Sequence, residues 1–136
     1  QSNQYWLGDI PIIRLGEVYL IAAEAAILTD NQAKALIYVN TLRKRAALTS
    51  RESEMLVSGA QMNIDFILKE RARELSGEHT RWIDLKRTGK LTKTYLDQTN
   101  PIAGTNFVEG KHTVRPIPRS FLDAISNAKE FGTNGY

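Results

Sequence analysis

Residues 65–87 read DFILKERARELSGEHTRWIDLKR, and this segment is the most informative in the chain. In its first half the apolar residues recur at helical spacing, which predicts a helix over about residues 64–76. Gly77 is a natural helix terminator, and a further helix is expected over about residues 78–88. We therefore predict a helical pair over about residues 63–89.

An earlier apolar segment, residues 12–29, reads IIRLGEVYLIAAEAAILT and follows helical spacing on two sides. A helix that is apolar on two sides is expected to lie between neighbours. A polar break at residues 29–31 precedes a second helix over about residues 32–47. Because so short a break reverses the chain, we predict a helical hairpin over about residues 11–47, with Pro11 in its first turn.

The last third of the chain has weaker periodicity. Residues 90–112 are predicted to be a long irregular segment, and the prolines at residues 113–118 predict extended backbone. A last short helix is expected to about residue 127, so that residues 90–136 form a loop and a short C-terminal helix. No strand pattern is convincing. The sequence predicts one all-α domain, residues 1–136, of tetratricopeptide-like helical hairpins with an irregular C-terminal segment.

Composition narrows the class of protein. The chain has 136 residues, 42% hydrophobic and 24% charged, which is the balance of a globular domain. There is no Cys, which excludes a disulfide, a zinc-thiolate site, a catalytic thiol and a lipidated Cys within this segment. The first residue is Gln, so we expect a mature form or a piece of a longer protein. The longest apolar run carries two Glu residues and is too short to span a bilayer.

Three carboxylates stand one helical turn apart at Glu70, Glu74 and Glu78. Like charges at this spacing repel, but Arg71 and Arg73 lie among them, and Arg binds carboxylates well between packed helices. A Glu70–Glu74 acid/base pair is the catalytic alternative. Neighbouring Arg residues lower the pKa of both, whereas a general acid needs a raised pKa, so ion pairing is favoured.

Glu24 lies inside the apolar run LIAAEAAIL, where a buried carboxylate needs a cation. The candidates are Arg43 and Arg45 on the returning helix. Arg14 and Glu17 are one turn apart and can pair with each other or with the third helix. The sequence therefore predicts a lattice of ion pairs between helices.

Other functional signals are weak. His79 and His112 lack the partner spacing of a metal site, and no phosphate-binding loop is present, so we predict no metal, no cofactor and no catalytic residue. The RKR run at residues 43–45 favours ion pairing over nucleic acid. Tyr5 and Trp6, in a polar segment, are the weak candidates for ligand binding, as sugar-stacking rings or as anchors of a protein interface.

Five motifs now appear in order: IPIIRLGEVYLIAAEA, VNTLRKRA, ILKERARELSGEHTRWIDLKRTGK, VRPIPRSFLD and EFGTNGY. Together they resemble the C-terminal region of the SusD/RagB family, the surface glycan-binding lipoproteins of Bacteroidetes. The likeness covers most of residues 9–136. The tail, residues 132–136, lacks the proline that is usual in the family, and residues 76–79 also depart from its pattern.

The resemblance implies a mostly helical, tetratricopeptide-like fold and a non-catalytic role in polysaccharide uptake at the outer membrane, with the lipid anchor outside this segment. It also implies an oligo- or polysaccharide ligand of the full-length protein and a TonB-dependent, SusC-like transporter as partner. The alternative is a tetratricopeptide-like adaptor for peptides or proteins. The matching motif residues are interpreted as scaffold, namely Arg14, Glu17, Glu24, Arg43, Arg45, Glu70, Arg71, Glu74, Arg81, Trp82 and Asp84.

Overall fold

Helices account for the regular secondary structure of residues 12–136, the part of the chain that the computed structural model describes. The predicted all-α, tetratricopeptide-like fold is confirmed. Two short 3₁₀ turns, Glu52–Met55 and Gly59–Gln61, lie between the second and third helices. The helices are α1 Leu15–Leu28, α2 Gln32–Ala46, α3 Ile64–Glu74, α4 Arg81–Arg87, α5 Lys93–Thr99, α6 Pro101–Asn106, α7 Arg119–Ala124 and α8 Ala128–Phe131.

The described residues form two compact units, the first ending at Arg81 and the second comprising Trp82–Tyr136. In the first unit α1 packs against α2, as the hairpin prediction requires, and also against α3. The turn between α1 and α2 has Asp30 at φ +56° and Asn31 as cap, whose side-chain oxygen accepts from the Lys34 amide at 3.1 Å. A short connection with a good cap thus folds the two helices back on each other.

Small side chains fill the contact between α1 and α2. Ala23, Ala35 and Val39 are fully buried, and Ile67 of α3 closes the same cluster. Alanine at such positions lets helix backbones approach closely. The loop before α3 is held to α2 through Asn40, whose amide donates to the Val57 carbonyl at 3.2 Å and whose oxygen accepts from the Val57 amide at 3.0 Å.

The first helix differs from its prediction in two ways. It begins at Leu15 and not near residue 12, because Arg14 is extended (φ −122°, ψ 159°) and its side chain is held by α3. Pro11 lies outside the described residues. As predicted, α1 has more than one neighbour, since both α2 and α3 pack against it, but Leu15 and Val18 of α1 are exposed.

The second unit contains two helices in the segment that was predicted to be irregular. Thr92 caps α5, accepting from the Tyr95 amide at 3.2 Å, and Asn100 caps α6, with Pro101 in its first turn. Weak hydrophobic periodicity hid both helices from the sequence prediction. Farther on, α7 ends at Ala124, short of its predicted end.

Candidate functional site

A guanidinium–carboxylate lattice joins the three helices of the first unit, and Arg14 is at one end of it. Arg14 Nη1 contacts Glu74 Oε1 at 2.5 Å, and its Nε contacts Glu78 Oε1 at 2.7 Å. Its Nη2 also donates to the Glu74 carbonyl. These bonds raise the pKa of Arg14 above its already high ordinary value. One arginine, placed just before α1, thereby holds the end of α3.

Glu74 binds a second cation from α2. Arg45 Nη2 contacts the same Oε1 atom at 2.5 Å. Burial alone raises the pKa of Glu74, but the hydrogen bonds from Arg14 and Arg45 outweigh burial, so the pKa lies below its ordinary value. Glu74 is therefore held ionised between two guanidinium groups.

Glu70 is paired one turn earlier on α3. Arg43 Nη1 contacts Glu70 Oε1 at 2.6 Å, and Arg73 on the same helix binds the same oxygen. Arg43 also donates through Nε to the Met55 carbonyl at 2.5 Å, so it ties the 3₁₀ turn to α3. Arg43 and Arg45, considered in the sequence as partners of Glu24, are thus in contact with the α3 carboxylates.

The two carboxylates of α1 point into the protein. Glu17 Oε1 accepts from Arg71 Nη2 at 3.3 Å, and Arg71 is buried. Glu24 is also buried on α1. Of the two pairings considered for Arg14 and Glu17, the structure therefore has the one with the third helix for both residues.

The remaining predicted positions lie around α4. Arg81 Nη1 donates to the Leu68 carbonyl at 2.8 Å within the first unit. In the second unit Asp84 is buried and accepts from Arg87 Nη2 at 3.0 Å. Tyr5 and Trp6, the predicted ligand-binding candidates, lie outside the described residues.

This arrangement does not suit acid/base chemistry. A general acid must keep its proton near neutral pH, and the lowered pKa of Glu74 is the opposite. The pocket beside the two carboxylates, lined also by Leu20 and Leu42, has a volume of about 170 Å³. That is below the usual range for small-molecule sites, roughly 300–1,000 Å³. The lattice is suited to fixing helices relative to one another.

The second unit contains an aromatic cluster that sequence reasoning missed. The Trp82 indole donates to the His112 carbonyl at 3.1 Å, and Lys86 Nζ and Arg115 Cζ lie 4.8 and 4.7 Å from the ring centroid. The ring centroids of His112 and Tyr136 are 6.5 Å apart. Trp82 was interpreted as a scaffold residue, and the hint of the cluster in the sequence was the recurrence of aromatic residues beyond residue 106.

The C-terminal residues Asn134 and Tyr136 contact the segment that carries this cluster. The Tyr136 hydroxyl lies 3.3 Å from the carbonyls of Lys111 and Val114, and Asn134 Nδ2 donates to the Arg115 carbonyl at 2.9 Å. Because cations lie over the Trp82 ring, that ring is partly covered and is a poor sugar-stacking platform. The cluster is therefore suited to holding residues 107–115 in place.

Residues 12–136 contain neither a membrane-spanning helix nor a metal-binding cluster. In this part of the chain, no helix combines the length and the apolar character needed to cross a bilayer. His, Asp and Glu side chains in the same part form no group of three or more that could hold a metal ion.

Comparison with known proteins identifies the family. The chain is 36% identical over 122 residues to "SusD-like protein P2" of Formosa agariphila. The matched region makes up 85% of this chain and 24% of that protein. It is 38% identical over 128 residues to "SusD-like protein P25" of the same organism, covering 92% of this chain and 24% of that protein. The chain thus spans about a quarter of the length of these curated relatives. No solved structure gives a significant match.

The family model agrees with these relatives over nearly the whole chain. The SusD family model matches residues 1–129. Four of the five motifs that carried the resemblance lie within this range, and the tail motif at residues 130–136 lies beyond it. The chain therefore belongs to the SusD family.

Proposed function

We propose that this chain is the helical scaffold of a non-catalytic, glycan-binding component of polysaccharide uptake at the outer membrane. Family membership supports glycan uptake as the role of the full-length protein. The observation that carries the scaffold role is the Glu74 carboxylate, held ionised by Arg14 and Arg45. A carboxylate used in this way stabilises helix packing and does not serve as the acid of glycoside hydrolysis.

The proposal also covers the ligand, the partner and the cellular location of the full-length protein. Its ligand is an oligo- or polysaccharide bound by the full-length protein, and its partner is a TonB-dependent, SusC-like transporter. The location is the outer-membrane surface, with the lipid anchor outside this segment. The predicted single domain of residues 1–136, with its helical pair over residues 63–89, is the C-terminal part of that protein.

Affinity electrophoresis tests this proposal. The chain and the complete natural polypeptide that contains it are run in native gels, each cast with one of a panel of polysaccharides. We expect retardation of the complete polypeptide and free migration of the chain, since the pocket beside the lattice holds only about 170 Å³ and the larger groove between α1 and α2 is lined mainly by apolar surface. Glycoside hydrolysis that is abolished by Glu70→Gln in a folded protein would contradict the non-catalytic role.

A second candidate is an adaptor that binds peptides. It is favoured by a groove of about 310 Å³ between α1 and α2, lined by Ala22, Ala25 and Tyr38 among others. Recovery of a defined peptide ligand by the complete polypeptide, with no retardation by any polysaccharide, would select this candidate. In that experiment Ala25→Arg in the groove is expected to abolish peptide binding, and Lys69→Ala on the exposed side of α3 serves as control.

A further inference from the structure

The tail contains an exposed asparagine–glycine pair. Residues 130–136 read EFGTNGY, and Asn134 is the one asparagine in the sequence that directly precedes a glycine. Both members of the pair are exposed and have positive φ angles, +58° at Asn134 and +81° at Gly135. Glycine and asparagine adopt this backbone region more readily than other residues, so the pair makes a tight turn at the surface.

This pair places an electrophile next to a nucleophile along the chain. The side-chain amide carbon of Asn134, Cγ, is the electrophile, and the backbone nitrogen of Gly135 is the nucleophile. Glycine has no side chain to hinder the approach of its nitrogen to Cγ. In the part of the chain that the structure describes, the Gly135 N–H donates to no acceptor, so no hydrogen bond has to break before the nitrogen reacts.

We propose that Asn134 is a site of spontaneous deamidation. The Gly135 nitrogen forms a bond to Cγ, the bond between Cγ and Nδ2 breaks, and Nδ2 leaves as ammonia with the proton that Gly135 gives up. The product is a cyclic imide, a succinimide. A water molecule then opens the imide at either of its carbonyls, which leaves aspartate or isoaspartate at residue 134. Water is the co-reactant, and the inference does not rest on glycan binding.

The modification removes a contact that holds the tail. Asn134 Nδ2 donates to the Arg115 carbonyl at 2.9 Å. A carboxylate accepts hydrogen bonds and donates none, so aspartate sets two oxygen atoms against each other at this contact. Isoaspartate also adds a carbon atom to the backbone before Tyr136, whose hydroxyl lies 3.3 Å from the carbonyls of Lys111 and Val114. Both products are therefore expected to loosen the contacts of the tail.

Asn127 is a matched internal control for the reaction. It is also exposed, and its Nδ2 also donates a hydrogen bond, to Glu130 Oε2 at 3.2 Å. The difference lies in the next residue, Ala128, whose methyl group hinders closure of the imide ring. Trypsin cleaves after Lys129, so the two asparagines lie on different tryptic peptides.

The test follows both peptides of the complete natural polypeptide by mass spectrometry. The folded protein is kept in mildly alkaline buffer, because the attacking nitrogen must lose its proton. We expect Asn134 to convert to aspartate and isoaspartate well before Asn127 converts, and Asn134→Gln to abolish the reaction, since its imide ring would be larger and closes slowly. Conversion of Asn134 no faster than that of Asn127 in the folded protein would overturn the proposal. This holds even if Asn134 converts quickly in urea, since the contact with Arg115 would then protect it.

Hydrogen–deuterium exchange tests the release of the tail separately. Asn134→Asp reproduces the aspartate product, and Asn127→Asp makes the same chemical change at the control position. We expect faster exchange at residues 111–115 in Asn134→Asp and unchanged exchange there in Asn127→Asp. Equal exchange at these residues in both variants would show that the Asn134 amide does not hold the tail, and would overturn this consequence of the reaction.

Discussion

Replacing Glu74 by Gln tests the ion-pair lattice where it has most bonds. The change keeps the shape of the side chain and removes its charge. The lost contacts are those of Oε1 with Arg14 and with Arg45, both at 2.5 Å, and the Glu74 side chain is only 15% exposed. Arg14 keeps its bonds to Glu78 and to the Glu74 carbonyl, so it is not left without acceptors.

The expected loss of stability follows from these contacts. A hydrogen bond to a charged group contributes about 1.5–3 kcal/mol, and an exposed ion pair about 0–1 kcal/mol. Because the Gln oxygen still accepts weakly from Arg14, we expect Glu74→Gln to lower the free energy of unfolding by about 2 kcal/mol at pH 7. For a unit of this size that corresponds to a melting temperature lower by roughly 8–16 °C.

The effect should depend on pH with a definite sign. The pKa of Glu74 is lowered in the folded state, so its stabilisation is complete above the unfolded-state pKa of about 4.3 and is lost as pH falls through the folded-state value. The difference between the original protein and Glu74→Gln should therefore be constant from pH 7 to about pH 5 and shrink below about pH 4.

Urea unfolding followed by circular dichroism, repeated from pH 7 to pH 3, measures this difference. Glu54→Gln is the matched control, because Glu54 pairs with Arg51 on the surface, where both side chains are more than half exposed. That control should unfold at the same urea concentration as the original protein. The reasoning is refuted if Glu74→Gln behaves like the control at pH 7, or if its deficit is the same at pH 3 as at pH 7.

Two glycines give the remaining predictions. A Cβ atom on Gly16 would lie 2.5 Å from both Arg14 Nη1 and Glu74 Oε1, so Gly16→Ala should displace the ion pair and cost about 1–3 kcal/mol in the same urea experiment. On Gly104 a Cβ atom would lie 2.7 Å from the Asp97 backbone nitrogen, so Gly104→Ala should force α5 and α6 apart and lower the melting temperature. Gly59→Ala, with nothing within 4 Å, is the control for both and should be neutral, whereas equal effects at all three glycines would contradict the packing argument.

Local patterns in the sequence predicted the helices with strong periodicity. The hairpin of α1 and α2 and the position of α3 were confirmed within a few residues, because apolar spacing and the Asn31 and Asn63 caps act locally. The helices α5 and α6 were missed. Each is six or seven residues long, too short for a periodic pattern, and is set by its cap and by a close backbone contact at Gly104.

The sequence also predicted the type of chemistry but not the pairings. A carboxylate within an apolar helix requires a cation whatever the fold, which is why Glu24, Glu70 and Glu74 stood out as structural. Which arginine approaches which carboxylate depends on helix rotation and on chain segments far apart in sequence. That is why Arg43 and Arg45 contact Glu70 and Glu74, the latter 29 residues from Arg45 along the chain.

The order of its motifs was enough to assign this chain to its family, since five motifs in series specify far more than a helical period does. Tertiary structure was needed to show that α1 buries its charges and exposes Leu15, Val18 and Ile21, because the sequence shows two apolar stripes without showing which one meets α2 and α3. Periodicity is a property of one helix, whereas burial depends on the neighbours that a helix finds.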